Sequence, residues 1–269
     1  MSPRLVALLL IAACGHPPAP APTPAPPPGN PDEMPAPIVD HMQRHAWGQM
    51  HLSWHTARRW DLLPPASRAF AESQGWTRAP IQEGAPGNGV EFLAMHRMMF
   101  QMLRDVPGGA GAFAPWPAPP TEPHAGVAFD AQMLAAIDRI EHHLDTFATE
   151  DELGLYIETA MRPLPGNPTA RATDATAGVH NYLHNRFQDR TSPVDLGNPA
   201  VNLLNRRFWQ LHGWIDQLWT RYRTQKGLRD DDPAYQAALA AAMAAMTTRM
   251  KAGPVVPPPN ELVDVLSGL

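Results

Sequence analysis

Proline is placed so unevenly in this chain that it partitions the sequence before any other residue does. Inside a helix it removes a backbone donor and clashes with the preceding turn, and in a central strand it deletes a ladder bond. Of the 32 prolines among 269 residues, many fall in residues 16–37, which are mostly proline and alanine. Such a stretch cannot bury a core, favours extended polyproline conformation and reads as a semi-rigid stalk. Further breaks come at Pro64-Pro65, at Pro107-Gly108-Gly109 and in the run from Pro254 to Pro259. The intervening segments read as helices over residues 38–63, 89–106, 129–147, 175–190, 199–223 and 233–250, with a short one over 150–161. In the last long helix Asp232 stands as N-cap and Pro233 takes the first helical position, where its missing N–H costs nothing. Residues 107–128 and 162–173 read as loops, and the tail after Gly253 as irregular. No segment alternates like a strand and no repeat is visible, so the expected fold class is mainly α, a helical bundle with long loops.

A chain of this length holds one sizeable domain with a buried core. Charged residues make up 17 % and the formal net charge is -5. That excludes the basic footprint of a nucleic-acid binder, and it names no other partner. The single cysteine is Cys14. Ahead of it stand a positive residue, Arg4, an apolar run, Leu5 to Ile11, and two small residues, Ala12 and Ala13. This is a secretory-signal layout too short to span a bilayer. Leu10-Ile11-Ala12-Ala13-Cys14 also resembles the lipobox of bacterial lipoproteins, which implies lipidation of Cys14 and a lipid-anchored protein in the bacterial cell envelope. The expected organisation is a signal peptide over 1–14, a stalk over 15–37, the folded domain over 38–253 and a tail over 254–269. No disulfide is available to that domain.

The twelve histidines form no tract. Three pairs stand four residues apart, His41 with His45, His51 with His55 and His180 with His184, and such pairs share a helix face. His96 lies alone in the apolar stretch Glu91 to Phe100, and His212 alone in the aromatic stretch Phe208 to Trp219. An isolated histidine on an apolar helix is ordinarily a core residue satisfied by a neighbour. Several together are harder to bury, because each unsatisfied polar group costs about 1–3 kcal/mol. A metal removes that cost by taking the ring lone pairs. His16 in the stalk, His124 in a loop and the adjacent His142 and His143 fit no such face. Met98, Met99 and Met102 follow His96 at helical spacing and read as core.

Three motifs then carry a family resemblance. Phe92-Leu93-Ala94-Met95-His96-Arg97 looks like the Phe-Leu-Pro-Trp-His-Arg signature around the first copper of tyrosinases and catechol oxidases. His180-Asn181-Tyr182-Leu183-His184 resembles the His-Asn-x-x-His pair of their second copper. Phe208 to Trp219 resembles the family helix Phe-x-Leu-His-His-x-x-Val-Asp-Arg-Leu-Trp, with His212 on the ligating histidine and Asp216 on a helix-anchoring aspartate. The motifs occur in the family's order over about residues 89–223. The resemblance implies a bundle around two copper ions, three histidines to each, that binds dioxygen. His180, His184 and His212 are then the ligands of the second copper, and His96 is one ligand of the first. Gly87 and Asn88 stand where most tyrosinases supply another ligand. Haemocyanins and phenoloxidases of arthropods draw two from one helix, which leaves a choice within residues 38–63. The deeper, apolar-flanked His51 and His55 are favoured, with His41 and His45, or a mixed set, as alternatives.

The implied activity is oxidation of a small phenolic or catecholic compound by dioxygen. The alternatives are a non-catalytic oxygen- or copper-binding lipoprotein and a site with one metal only; a copper-delivery protein is a further implied partner. In bacterial tyrosinases an asparagine and an upstream glutamate hold a water that assists phenol deprotonation. Asn181 matches the former. The glutamate's position falls near Arg171, and Asp174 is the nearest upstream carboxylate. Asn205 replaces the usual aspartate before the last motif's helix, and Leu211 replaces the non-ligating histidine beside His212.

Overall fold

The computed structural model describes residues 32–107, 109, 111–164, 166–250 and 256–267. The signal segment, Cys14 and the stalk up to residue 31 lie outside the described residues. Ten α-helices are present among those described: α1 (Ala36–Arg44), α2 (Trp47–Arg58), α3 (Pro65–Ser73), α4 (Asn88–Leu103), α5 (Ala131–His142), α6 (Glu150–Glu158), α7 (Val179–Arg186), α8 (Arg206–Gln225), α9 (Pro233–Arg249) and α10 (Asn260–Ser267). One antiparallel hairpin, β1 (Met161–Leu164) and β2 (Asn167–Thr173), is the only sheet among them. The mainly helical expectation holds.

The apolar α4 is the central element, packed on α6, α8 and α9. Gly89 and Gly154 bring α4 and α6 together: a Cβ on Gly154 would stand 2.2 Å from the Gly89 carbonyl oxygen. The register of α4 against α8 is held by Arg97, whose Nε donates to Asp216 Oδ1 at 2.6 Å and whose Nη2 donates to Thr220 Oγ1 at 2.7 Å. Its guanidinium also lies 4.0 Å above the Trp219 ring. Asp216 therefore does anchor the helix, through the arginine that follows His96.

Four expectations are corrected. The single helix over 38–63 is two helices and a 3-10 turn, because Ala46 sits in the left-handed region at φ 53°. Trp47 and Gly48 explain the bend: Trp47 is buried, and a Cβ on Gly48 would meet the Ala200 oxygen at 2.1 Å. The turn lets both helices pack inward. The domain begins before Ile38, since Met34 is buried and Arg206 N donates to the Asp32 carbonyl at 2.6 Å. Residues 162–173, read as loop, hold the hairpin. Both its strands are edges, so Pro163 removes no ladder bond that the sheet needs. Finally, the tail is not irregular throughout: α10 forms after Pro257-Pro258-Pro259, whose carbonyl end starts the helix. Leu262 and Leu266 bury it against Leu52, Leu63 and Ala71.

Candidate metal centre

Four helices converge their histidines on one interior point. α2 brings His51 and His55, α4 His96, α7 His180 and His184, and α8 His212. All six are buried except His55, which is partly exposed. The ring nitrogens of His51, His55 and His96 lie within 4.8 Å of one another, as do those of His96, His180 and His212. His184 is not part of that close group but lies at its edge, with its ring 4.5 Å from that of His180 and 5.3 Å from that of His212. His96 and His212 stack at 4.1 Å and join the two groups.

The local sequence explains the placement. Gly178 adopts φ 86°, and a Cβ there would lie 2.4 Å from Ala160 N. That close approach starts α7 one residue before His180 and sets its first turn against the end of α6. The helical spacing of four then aims His184 in the same direction.

The second nitrogen of each ring decides what the first can do. His51 Nδ1 lies 3.0 Å from the Pro199 carbonyl oxygen, His96 Nδ1 2.9 Å from that of Phe92, His184 Nδ1 2.7 Å from that of Leu196 and His212 Nδ1 2.7 Å from that of Phe208. His180 Nδ1 stands 3.0 Å from Asn181 Oδ1. These oxygens only accept, so each Nδ1 carries the proton and each Nε2 presents a lone pair. His180 Nε2 and His212 Nε2 face each other at 3.1 Å, and His96 Nε2 and His184 Nε2 are buried with no hydrogen-bond partner. Lone pairs converging without a donor are unfavourable unless a cation or a proton lies among them.

Protonation is disfavoured here. Burial, foremost, pushes the His51 imidazolium down to about 3 and that of His184 to about 4. The same desolvation, reinforced by the neighbouring histidines, holds His55, His96, His180 and His212 well below the ordinary value. A metal ion fits where a proton does not, because it bonds to neutral imidazole. An all-imidazole set suits copper, zinc, iron or nickel alike. Phe92 and Phe208 wall the cluster, the Phe92 ring 4.8 Å from that of His180 and Phe208 stacking on His212 at 3.9 Å.

The carboxylate near Asn181 is not Asp174. The side chain of Asp174 accepts from Thr176 N at 3.0 Å and Thr176 Oγ1 at 2.7 Å, so it closes the turn before α7. It lines neither cavity at the cluster. Glu83 stands there instead, forked by Arg59 Nε and Nη2 and lining the larger cavity together with Asn181 and Thr159. Burial would raise its carboxyl, but the Arg59 charge and its hydrogen bonds hold it below the usual range. Glu158 beside it shows the opposite: burial and the Glu83 charge push it well up, and neither carboxyl oxygen has a partner. Glu83 comes from a loop far upstream, and only an Arg59–Glu83 pairing, invisible in sequence, marks it.

Two cavities adjoin the cluster. A small one of about 20 Å³ is lined by His55, His180 and His184 and roofed by Leu266 and Ser267 of α10. It has room for about one water-sized molecule. A larger one of about 700 Å³ lies beyond Asn181 and Glu83, walled by Met133, Met161, Tyr182 and Val265. Arg59 ties α10 down between them, donating to the carbonyls of Val265 at 2.6 Å and Leu266 at 2.8 Å. His41 and His45 belong to neither histidine group. His142 and His143 are exposed, and Met98 and Met99 pack in the core.

Fold and site together define a helical bundle whose centre carries two abutting histidine groups that could hold metal. No family model matches the chain, and no curated protein matches it.

Proposed function

We propose that the six histidines hold two copper ions and that the chain is an oxidase of small phenolic or catecholic compounds. The observation that carries this reading is the convergence of ring nitrogens from His51, His55 and His96 on one side and His180, His184 and His212 on the other. A copper pair held there would relay electrons from substrate to dioxygen, two catechols each losing two electrons and two protons to become quinones for every dioxygen reduced to two waters. The resemblance of the His96, His180 and His212 motifs to tyrosinases favours copper over the other imidazole-binding metals.

The remaining roles fall to the chain itself. The carbonyls of Pro199, Phe92, Leu196 and Phe208 lock four rings with Nε2 inward. Phe92 and Phe208 pack apolar rings against the histidines. The large cavity is the substrate's approach, because its apolar wall suits an aromatic ring and it ends at Asn181 and Glu83. Glu83, ionised by Arg59, orients a water or the substrate hydroxyl and receives its proton, and Asn181, on the same cavity wall, accepts from His180 Nδ1. The lipobox-like segment ending in Cys14 supports an envelope location, and the stalk would hold the domain off the bilayer.

A second reading, a non-catalytic carrier of oxygen or copper, is favoured by one observation. The cavity touching the histidines admits a diatomic molecule and no aromatic ring while Leu266 and Ser267 roof it. Copper-loaded protein supplied with a catechol separates the two. The oxidase binds two coppers at the six histidines and forms quinone steadily; the carrier binds two there and forms none. A chain that takes up no copper at the six histidines refutes both.

A further inference from the structure

The buried centre leaves unused one pair of histidines built like its own. His41 and His45 stand one turn apart at the end of α1, with ring centroids 4.6 Å apart and planes inclined at 42°. The pairs inside the centre have the same separation, 4.6 Å for His51 and His55 and 4.5 Å for His180 and His184. This is the spacing at which two imidazoles on one helix face can chelate a single ion. The left-handed turn at Ala46 separates this pair from α2, and Ile38, Val39 and Met42 take the buried face of α1. His45 is exposed and His41 partly so.

We propose that His41 and His45 form a second, solvent-facing site for a divalent transition-metal ion, copper(II) foremost, independent of the buried cluster. Two observations support it. Among the described residues neither ring makes a hydrogen bond or ion pair, and His45 is exposed, so the pair has ring nitrogens uncommitted to the protein. The charged neighbours on the same helix are Asp40 and Arg44, and Arg44 Nε is turned back to the Asp40 carbonyl at 3.1 Å rather than toward an acceptor on the rings. Two imidazoles with water in the remaining positions suit copper(II) above nickel or zinc in the usual order of stability. The pair occupies the helix immediately before the one that bears His51 and His55. A loosely held ion there would be captured from solution at the domain surface, where exchange is fast, while the buried groups hold theirs behind α10.

The test is a copper(II) titration of the full chain and of His41→Gln/His45→Gln at pH 7, followed by electron paramagnetic resonance and metal analysis. Both substitutions are on the surface, and circular dichroism checks the fold. The wild-type chain should take up one equivalent more than the variant. That equivalent should give a mononuclear copper(II) signal with coupling to imidazole nitrogen, and glycine should strip it first. Each single variant should lose it too, since both ligands are needed. Equal stoichiometry and equal spectra in wild type and double variant overturn the proposal, as does survival of the equivalent in either single variant. The comparison reads a difference at the surface, so it stands whether or not the buried centre binds copper.

Discussion

His180 Nε2 and His212 Nε2 confront each other at 3.1 Å while the Nδ1 atom of each is committed to an oxygen acceptor, Asn181 Oδ1 and the Phe208 carbonyl. Neither nitrogen can donate to the other. The contact makes chemical sense around a cation, and the packing of α7 on α8 holds it in place.

Binding of metal to this arrangement should therefore stabilise the fold. At a free concentration 100 times the dissociation constant, a ligand of the native state adds about 2.7 kcal/mol. Copper should raise the melting temperature of the apo chain, measured by calorimetry, and a chelator should reverse it. His212→Ala should abolish most of the rise. An unchanged melting temperature on copper addition would count against a buried site.

Acid should act on the metal-free chain through the same histidines. Their folded-state values lie below the unfolded value of 6.5, with His51 at about 3 and His184 at about 4. The unfolded chain therefore binds more protons in this window, and stability falls as pH drops from about 6.5 toward 3. Each such histidine removes up to about 1.4 kcal/mol per pH unit. Urea unfolding at pH 7.5, 6 and 5 should show the loss, and copper should shift it to lower pH.

Glu83→Gln and Asn181→Ala separate the proton-handling groups from the ligands. Partners one step removed from a metal typically contribute 10–100-fold to its affinity or to activity. Each variant should retain both coppers of the buried centre and lose catechol or phenol oxidation by roughly that factor, read as kcat. Asp174→Asn should leave kcat near wild type, because its carboxylate only closes a turn. Equal losses in all three would contradict the assignment of Glu83.

Leu266→Ala should open the small cavity. Truncating a buried leucine costs about 2–5 kcal/mol; the lower end is expected, since Leu266 packs in the smaller of the two apolar clusters. Chemical modification of the apo histidines by diethyl pyrocarbonate should quicken, and catechol oxidation by the copper-loaded chain should rise. Modification at the wild-type rate would show that α10 does not control access.

Cys14→Ser tests the proposed envelope anchor. In a bacterial host the wild-type chain should incorporate labelled palmitate and fractionate with membranes; the variant should do neither. Labelling of both would refute lipidation at Cys14.

Much of the centre could be read from the chain because its candidate ligands recur at helix spacing inside apolar stretches. His180, His184, His96 and His212 each occupy a helix whose neighbours require burial, and burying imidazole demands a partner. That argument is local. The choice of His51 and His55 over His41 and His45 was not, because all four fit one face of one continuous helix; the left-handed Ala46 breaks that helix and turns the first pair to solvent. Glu83 escaped detection since its role depends on Arg59 and Asn181, which meet it only when α2 and α7 pack together. The helix α10 was hidden by the prolines before it, although proline is tolerated ahead of a first turn.

Sequence by itself determined the helical class, the proline-marked breaks between helices and the residue types that must be buried with their lone pairs unsatisfied, since propensity and periodicity act over a few neighbouring residues. Tertiary structure alone decided which histidines share a point, which carboxylate stands beside Asn181 and what roofs the cluster. Those depend on the crossing of α2, α4, α7 and α8, and distances across a crossing are set by packing of side chains remote in the chain.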